Sequence, residues 1–286
     1  MNYEIVETNT IDNLILHGML SKQKSKYVII FIHGTASNFY ENYFIYTLTE
    51  AAKKISVSIL SVNNRGSDVL HAYPPVGAAT EFFEDCLKDI DAWIEFALSE
   101  GYTKIILMGH SLGSEKVTYY MNKGKYGSKV KGLVLLGFAD SYGTQQNYTK
   151  GKNNLIEEAN NMIKRGKGKH FISSDWFAHA GVLPKNAESY VNFFGHNSEL
   201  SKALPLRNGK ELAFYRKIDV PILAVIGDIK KGKEYTVIPI KQAMNLLLKE
   251  NSHAQCHQIK NCNHDFEGKE RELVKIISNW LVKTLL

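Results

Sequence analysis

The stretch Lys104-Ile105-Ile106-Leu107-Met108-Gly109-His110-Ser111-Leu112-Gly113-Ser114 decides the fold. Its opening run is dominated by aliphatic and β-branched side chains, the pattern of a buried strand. G-x-S-x-G follows, and Glu115-Lys116-Val117-Thr118-Tyr119-Tyr120-Met121 then reads as a helix. A serine at a tight strand-to-helix turn sits in strained backbone and needs small neighbours, which the flanking glycines provide. Such a turn lifts the hydroxyl above the sheet edge and aims the Leu112 N–H at an adjacent oxyanion. The pentapeptide alone fits an ordinary glycine-rich turn equally well. The strand before it and the helix after it point to chemistry.

Residues 27–32 are apolar on both faces, as a central strand covered by helices must be. That run ends in His33-Gly34-Thr35-Ala36-Ser37-Asn38. Before it, residues 3–7 and 13–20 read as two antiparallel strands joined by a polar turn. After it come a helix over 43–54, a strand over 56–62 and Asn63-Asn64-Arg65-Gly66-Ser67-Asp68. Phe82, Cys86, Ile90, Trp93 and Ala97 recur at helical spacing, which predicts a helix over 78–100.

Downstream, residues 130–136 form another apolar strand. The alternation then stops from about 140 to 217, a segment rich in aromatics, in which 154–164 is the clearest helix. It resumes with a strand over 220–227, a helix over 240–249, a strand over 253–259 and a helix over 270–285. This order predicts one α/β domain over 1–286, with a mostly parallel sheet and helices on both faces. Residues 140–217 are then a helical or irregular insertion, a lid over the strand ends where ligands bind. Trp176 and Phe194 are expected on its inner face.

A chain of 286 residues accommodates one large α/β domain or two small ones. With 44% hydrophobic and 22% charged residues, its composition is that of an ordinary globular protein. The net charge of +6 is mild and the lysines are scattered, so neither a nucleic-acid nor a membrane partner is expected. The densest basic run, Lys164-Arg165-Gly166-Lys167-Gly168-Lys169, reads as a solvated loop. The first residues lack a basic segment followed by an apolar run, and no apolar stretch reaches the length of a membrane span. Three cysteines do not suggest a disulfide framework. The expectation is a reduced, cytoplasmic protein; its oligomeric state is not legible.

Taken together, His33-Gly34, Asn64-Arg65-Gly66, the Gly109–Gly113 turn and Asn263-His264-Asp265-Phe266 before the final helix resemble the α/β-hydrolase superfamily of serine hydrolases. The phrases at 63–68 and 261–268 are most similar to a bacterial group of small esterase-like proteins. The resemblance covers nearly the whole chain and implies a reaction type, not a substrate. It implies Ser111 as nucleophile and His264 as its base, because a serine hydroxyl is scarcely ionised at neutral pH. It places the oxyanion on the Leu112 and Thr35 amides; the bland reading of Thr35 is a loop residue, with Ser37 or Asn38 capping the next helix. The activity implied is cleavage of a carboxylic ester, or of a thioester or amide, in a small to medium, partly apolar substrate. No cofactor or metal is implied. An acyltransferase using the same residues, or a non-catalytic small-molecule or partner-binding protein of this fold, are the alternatives.

The acid is where the chain departs from the superfamily. Relatives usually place an aspartate shortly after the glycine ending the penultimate strand. Here that region reads Gly227-Asp228-Ile229-Lys230-Lys231-Gly232-Lys233-Glu234-Tyr235, as though lengthened. We take Asp228, which stands at the strand end, over Glu234, which keeps the spacing to Pro239. Asp140 is a third possibility, with a loop or cap role as its bland reading. The same run nearly spells a phosphate-binding loop, but Glu234 stands where a hydroxyl must hold Mg²⁺. Cys256, His257, Cys262 and His264 offer four zinc-type ligands, yet Cys256 and His257 are strand neighbours pointing to opposite faces. His33 and His110 are assigned to shaping their turns and not to proton transfer.

Overall fold

Successive side chains of a strand face opposite sides of its sheet, so one sheet can carry two cores. The computed structural model describes residues 3–151, 154–173, 176–178, 181–207, 211–228, 237 and 239–285, with the backbone alone at 176–178 and 181–182. In chain order the elements are β1 (Glu4–Asn9), β2 (Ile15–Ser21), β3 (Tyr27–Ile32), α1 (Phe44–Lys54), β4 (Ser58–Val62) and α2 (Cys86–Ser99). There follow β5 (Lys104–His110), α3 (Leu112–Lys123), β6 (Val130–Leu136), α4 (Ser141–Thr149), α5 (Leu155–Lys164), β7 (Trp176–Ala178) and β8 (Gly181–Leu183). The chain closes with α6 (Ala187–Phe194), α7 (Leu200–Ala203), β9 (Ile222–Gly227), α8 (Ile240–Glu250), β10 (Ala254–Ile259) and α9 (Glu270–Thr284).

Eight strands form one sheet in the order β1-β2-β4-β3-β5-β6-β9-β10. The β1–β2 and β2–β4 pairs are antiparallel and the other pairs are parallel. On β3, Val28, Ile30 and Ile32 share a core with α2, α3 and α8, whereas Ile29 and Phe31 pack with α1 and α9. Burial on both faces is why these strands read as unbroken apolar runs. The chain steps from β3 to β4 in one direction and from β5 to β6 in the other. Strand order therefore reverses between β3 and β5, and in open α/β sheets the ligand crevice lies at such a reversal, outside the carboxyl ends.

The helix expected over 78–100 begins only at Cys86. The Ala78 and Ala79 amides donate instead to Asp68 O and Val69 O, at 3.0 and 2.9 Å. Phe82 stands in extended conformation and is 39% exposed, so it does not belong to the buried stripe. Cys86, Ile90, Trp93 and Ala97 are buried as the spacing requires.

Between β6 and β9 the described residues form helices α4 to α7 and the antiparallel β7–β8 pair, which the aromatic pattern did not announce. Asn154 caps α5 by accepting the Glu157 N–H at 3.2 Å. Leu155 and Ala159 of α5 pack with Tyr190, Phe193 and Phe194 of α6 in a third apolar cluster, which includes Leu112 at the start of α3. Phe194 is thus a packing residue, 1% exposed, with its ring 5.1 Å from Tyr190 and 5.8 Å from Phe193. The Trp176 side chain lies outside the described residues. Among the described residues, no helix is long and apolar enough to cross a membrane.

Candidate active site

β5 ends at His110 and α3 begins at Leu112, leaving Ser111 alone to turn the chain. Its backbone adopts φ 55°, ψ −125°, a combination that costs a side-chain-bearing residue roughly 1–3 kcal/mol. Neighbouring contacts hold it there. The Ser111 N–H donates to Leu136 O at 2.9 Å, and its carbonyl accepts from Ser114 N at 2.9 Å and Ser114 Oγ at 2.6 Å. The flanking glycines are demanded by close approach. A Cβ on Gly109 would lie 2.2 Å from Gly113 O, and one on Gly113 would lie 2.2 Å from Ile32 O. Leu112, the first residue of α3, brings one of the amides that a helix leaves without an internal partner, at its positive end.

The turn after β3 meets the serine directly. A Cβ on Gly34 would stand 2.7 Å from Ser111 Cβ and 3.3 Å from its Oγ, so only glycine allows this approach. Thr35 follows, half-buried. Neither Ser37 nor Asn38 caps α1, whose N-cap is Tyr43; Asn38 Oδ1 instead accepts the Tyr40 and Glu41 amides, each at 3.1 Å. His33 is fully buried and shapes this turn. Its Nδ1–H donates to Gly34 O at 2.7 Å and its Nε2 accepts the Asn64 N–H at 3.2 Å. Burial, aided by the charge on Lys116, pushes its pKa down to about 3.

His264 is 7% exposed, in the loop between β10 and α9. His110 Nε2–H donates to the His264 carbonyl at 2.9 Å, and the two rings are 4.9 Å apart. The residue preceding Ser111 therefore fastens the loop that carries His264. Asp228 follows the last residue of β9, and its Oδ1 accepts the Cys262 N–H at 3.2 Å, two residues before His264. Burial, with the Asp228 charge adding, raises the Cys262 thiol to about 12, so it is no nucleophile.

Glu234 lies outside the described residues, as does most of the phosphate-loop-like run. Asp140 is buried and caps α4, its Oδ1 accepting Gly143 N at 2.8 Å and its Oδ2 accepting Arg207 N at 2.6 Å. Burial raises its pKa against the pull of those two amides. His110, His264 and Asp265 offer metal-type ligand atoms within 4.8 Å of one another; this is the histidine contact already described, and Cys256 and His257 stand outside it. The basic residues Lys164, Arg165, Lys167 and Lys169 are exposed.

No motif or spacing assigned a role to a buried set beside this site: the side chains of Asn64, Glu81 and Lys116. Lys116 Nζ donates to Glu81 Oε2 at 2.7 Å and to Asn64 Oδ1 at 2.8 Å. The available signal was a lysine inside a helix that the fold buries from Leu112 to Tyr120.

The sheet order, the reversal between β3 and β5 and the single-residue turn at Ser111 define the α/β-hydrolase fold. Solved structures share it across their length. Est1E from Butyrivibrio proteoclasticus, with ferulic acid bound, matches with a TM-score of 0.68 and 16% identity, covering 98% of this chain and 99% of that one. The Pyrococcus furiosus esterase Pf2001 gives 0.63 and 14%, covering 99% and 93%. A thermostable carboxyl esterase from Bacillus coagulans, in complex with glycerol, gives 0.67 and 13%, covering both chains fully (100% each). No curated protein matches in sequence. The chain belongs to the family described as protein of unknown function (DUF1749), whose model matches residues 8–282.

Proposed function

We propose that this protein is a serine hydrolase that cleaves carboxylic esters through an acyl-enzyme. The observation that carries this reading is the strained turn at Ser111, with Gly34 pressed against its side chain and His110 holding the His264 loop beside it. In this reading His264 takes the Ser111 proton as Oγ attacks the ester carbonyl. The carbonyl electrons move to oxygen, and the Thr35 and Leu112 amides hold the resulting charge, with the positive end of α3 behind Leu112. Collapse of the intermediate expels the alcohol, protonated by His264, and water repeats the steps on the acyl-enzyme. Asp228 accepts the His264 Nδ1–H and keeps the other ring nitrogen toward Ser111. No cofactor or metal takes part, and the setting is the cytoplasm.

Residues 140–217 serve as the lid, since their apolar cluster reaches Leu112 beside the nucleophile. The substrate is a small to medium, partly apolar ester. Aromatic acid esters are the first to try, because Est1E carries ferulic acid. The test is fluorophosphonate labelling together with hydrolysis of short p-nitrophenyl esters. Ser111→Ala should abolish labelling and lose at least ~10³ of the rate while staying folded. Unchanged hydrolysis in that variant would remove Ser111 from the mechanism.

A further inference from the structure

A line of buried polar contacts runs from the helix after Ser111 to the back of the Gly34–Thr35 peptide. Glu81 and Lys116 form an ion pair in which each side chain is 1% exposed. Lys116 also holds Asn64 Oδ1, which accepts the Gly66 N–H at 3.0 Å as well. The Asn64 N–H donates to His33 Nε2, and an acceptor at Nε2 requires the ring proton to sit on Nδ1. That Nδ1–H donates to Gly34 O.

The Gly34 carbonyl and the Thr35 N–H belong to one peptide unit, and this peptide is trans. In a trans peptide the C=O and N–H point in opposite directions. Drawing Gly34 O toward the buried ring therefore turns the Thr35 N–H to the other side, away from His33. We propose that the Glu81–Lys116–Asn64–His33 chain is a positioning device that holds the Thr35 N–H in line to receive the oxyanion. The inference rests on the serine-hydrolase reading above.

A buried ion pair gains little stability over a well-packed apolar pair. Direction is what it supplies here: an apolar pair would fill the space but leave Asn64 Oδ1 without its charged donor. Lys116 also helps keep His33 neutral, and so restricted to one donor and one acceptor.

The test compares His33→Leu, His33→Asn and the double variant Glu81→Gln/Lys116→Met, which removes both charges of the pair together. For each, thermal melting, kcat, KM and the affinity of a trifluoromethyl ketone are measured; the ketone's tetrahedral adduct places an oxyanion in the hole. His33→Leu and the double variant should lose ~10² in kcat and a similar factor in ketone affinity, the scale of one lost oxyanion donor. KM should change only slightly. His33→Asn, whose amide N–H can replace the Nδ1–H, should recover part of both losses. A role in stability alone would lower the melting temperature and leave ketone affinity intact. Unchanged kcat in folded variants, or a fall in kcat without a fall in ketone affinity, overturns the proposal. If His33→Leu does not fold, the double variant decides by the same two criteria. Retained hydrolysis in Ser111→Ala would instead defeat the underlying reading, and this inference with it.

Discussion

Ser111 holds an unfavourable backbone conformation because its amide and carbonyl are both tied and because Gly34 leaves room for its side chain. His264 is held less directly, through its own carbonyl on His110. Asp228 grips the Cys262 amide and so binds the end of β9 to the loop bearing His264. Asp140 has both carboxylate oxygens on backbone amides, as a helix cap does. We expect Asp228→Asn to reduce kcat by up to ~10⁴, by favouring the wrong His264 tautomer. Glu234→Gln, assayed on the same ester, should retain most of the rate. A near-normal Asp228→Asn beside a crippled Glu234→Gln would transfer the role.

The segment between β6 and β9 shows how an element's packing can redirect a residue's role. Its aromatics are expected to line a substrate site, yet Phe194 is enclosed by Tyr190 and Phe193 and belongs to the cluster joining α5 and α6. Phe194→Ala should therefore act on stability, lowering it by roughly 3–5 kcal/mol. Urea unfolding would show this as a lower midpoint, and preference among acyl chain lengths would change little. A variant with normal stability and altered chain-length preference would return Phe194 to the lid's inner face. The start of α2 teaches the same lesson, since the ties of residues 78 and 79 to 68 and 69 displace a helix that spacing alone begins too early.

At the scale of the whole molecule, stability should depend on pH through a carboxyl buried beside the site. Glu115 accepts from Ser141 N at 2.9 Å and Ser141 Oγ at 2.5 Å. Burial raises its pKa from 4.5 to about 8, with the Asp140 charge adding and the Ser141 bonds opposing. The folded protein thus binds this proton more tightly than the unfolded chain does. Its contribution is complete below 4.5 and is lost as pH rises through about 8. Glu115→Gln keeps the shape and cannot ionise, so it should gain on the wild type by roughly 2–4 kcal/mol as pH is raised across that window. Urea unfolding of both proteins at the two ends of the window measures the difference. An equal gap at both ends would show that Glu115 does not titrate there.

Local and periodic features were legible in the chain's residues alone. The two-faced apolar runs, set between helical patterns, read as central strands, and the glycines around Ser111, between a strand and a helix, marked a tight turn. The chain order of His33-Gly34, the serine turn and His264 carried the resemblance to α/β-hydrolases. The tertiary structure decided what depends on residues far apart in the chain. Lys116 meets Glu81 across 35 positions and Asn64 across 52, and no spacing rule encodes a contact made only when α3 closes over the β3 and β4 turns. Burial then settles what such groups do. A charge shut away from water must be paired or neutralised, so the fold made a fixed contact of Lys116 and a neutral ring of His33, and it raised the proton affinity of Glu115.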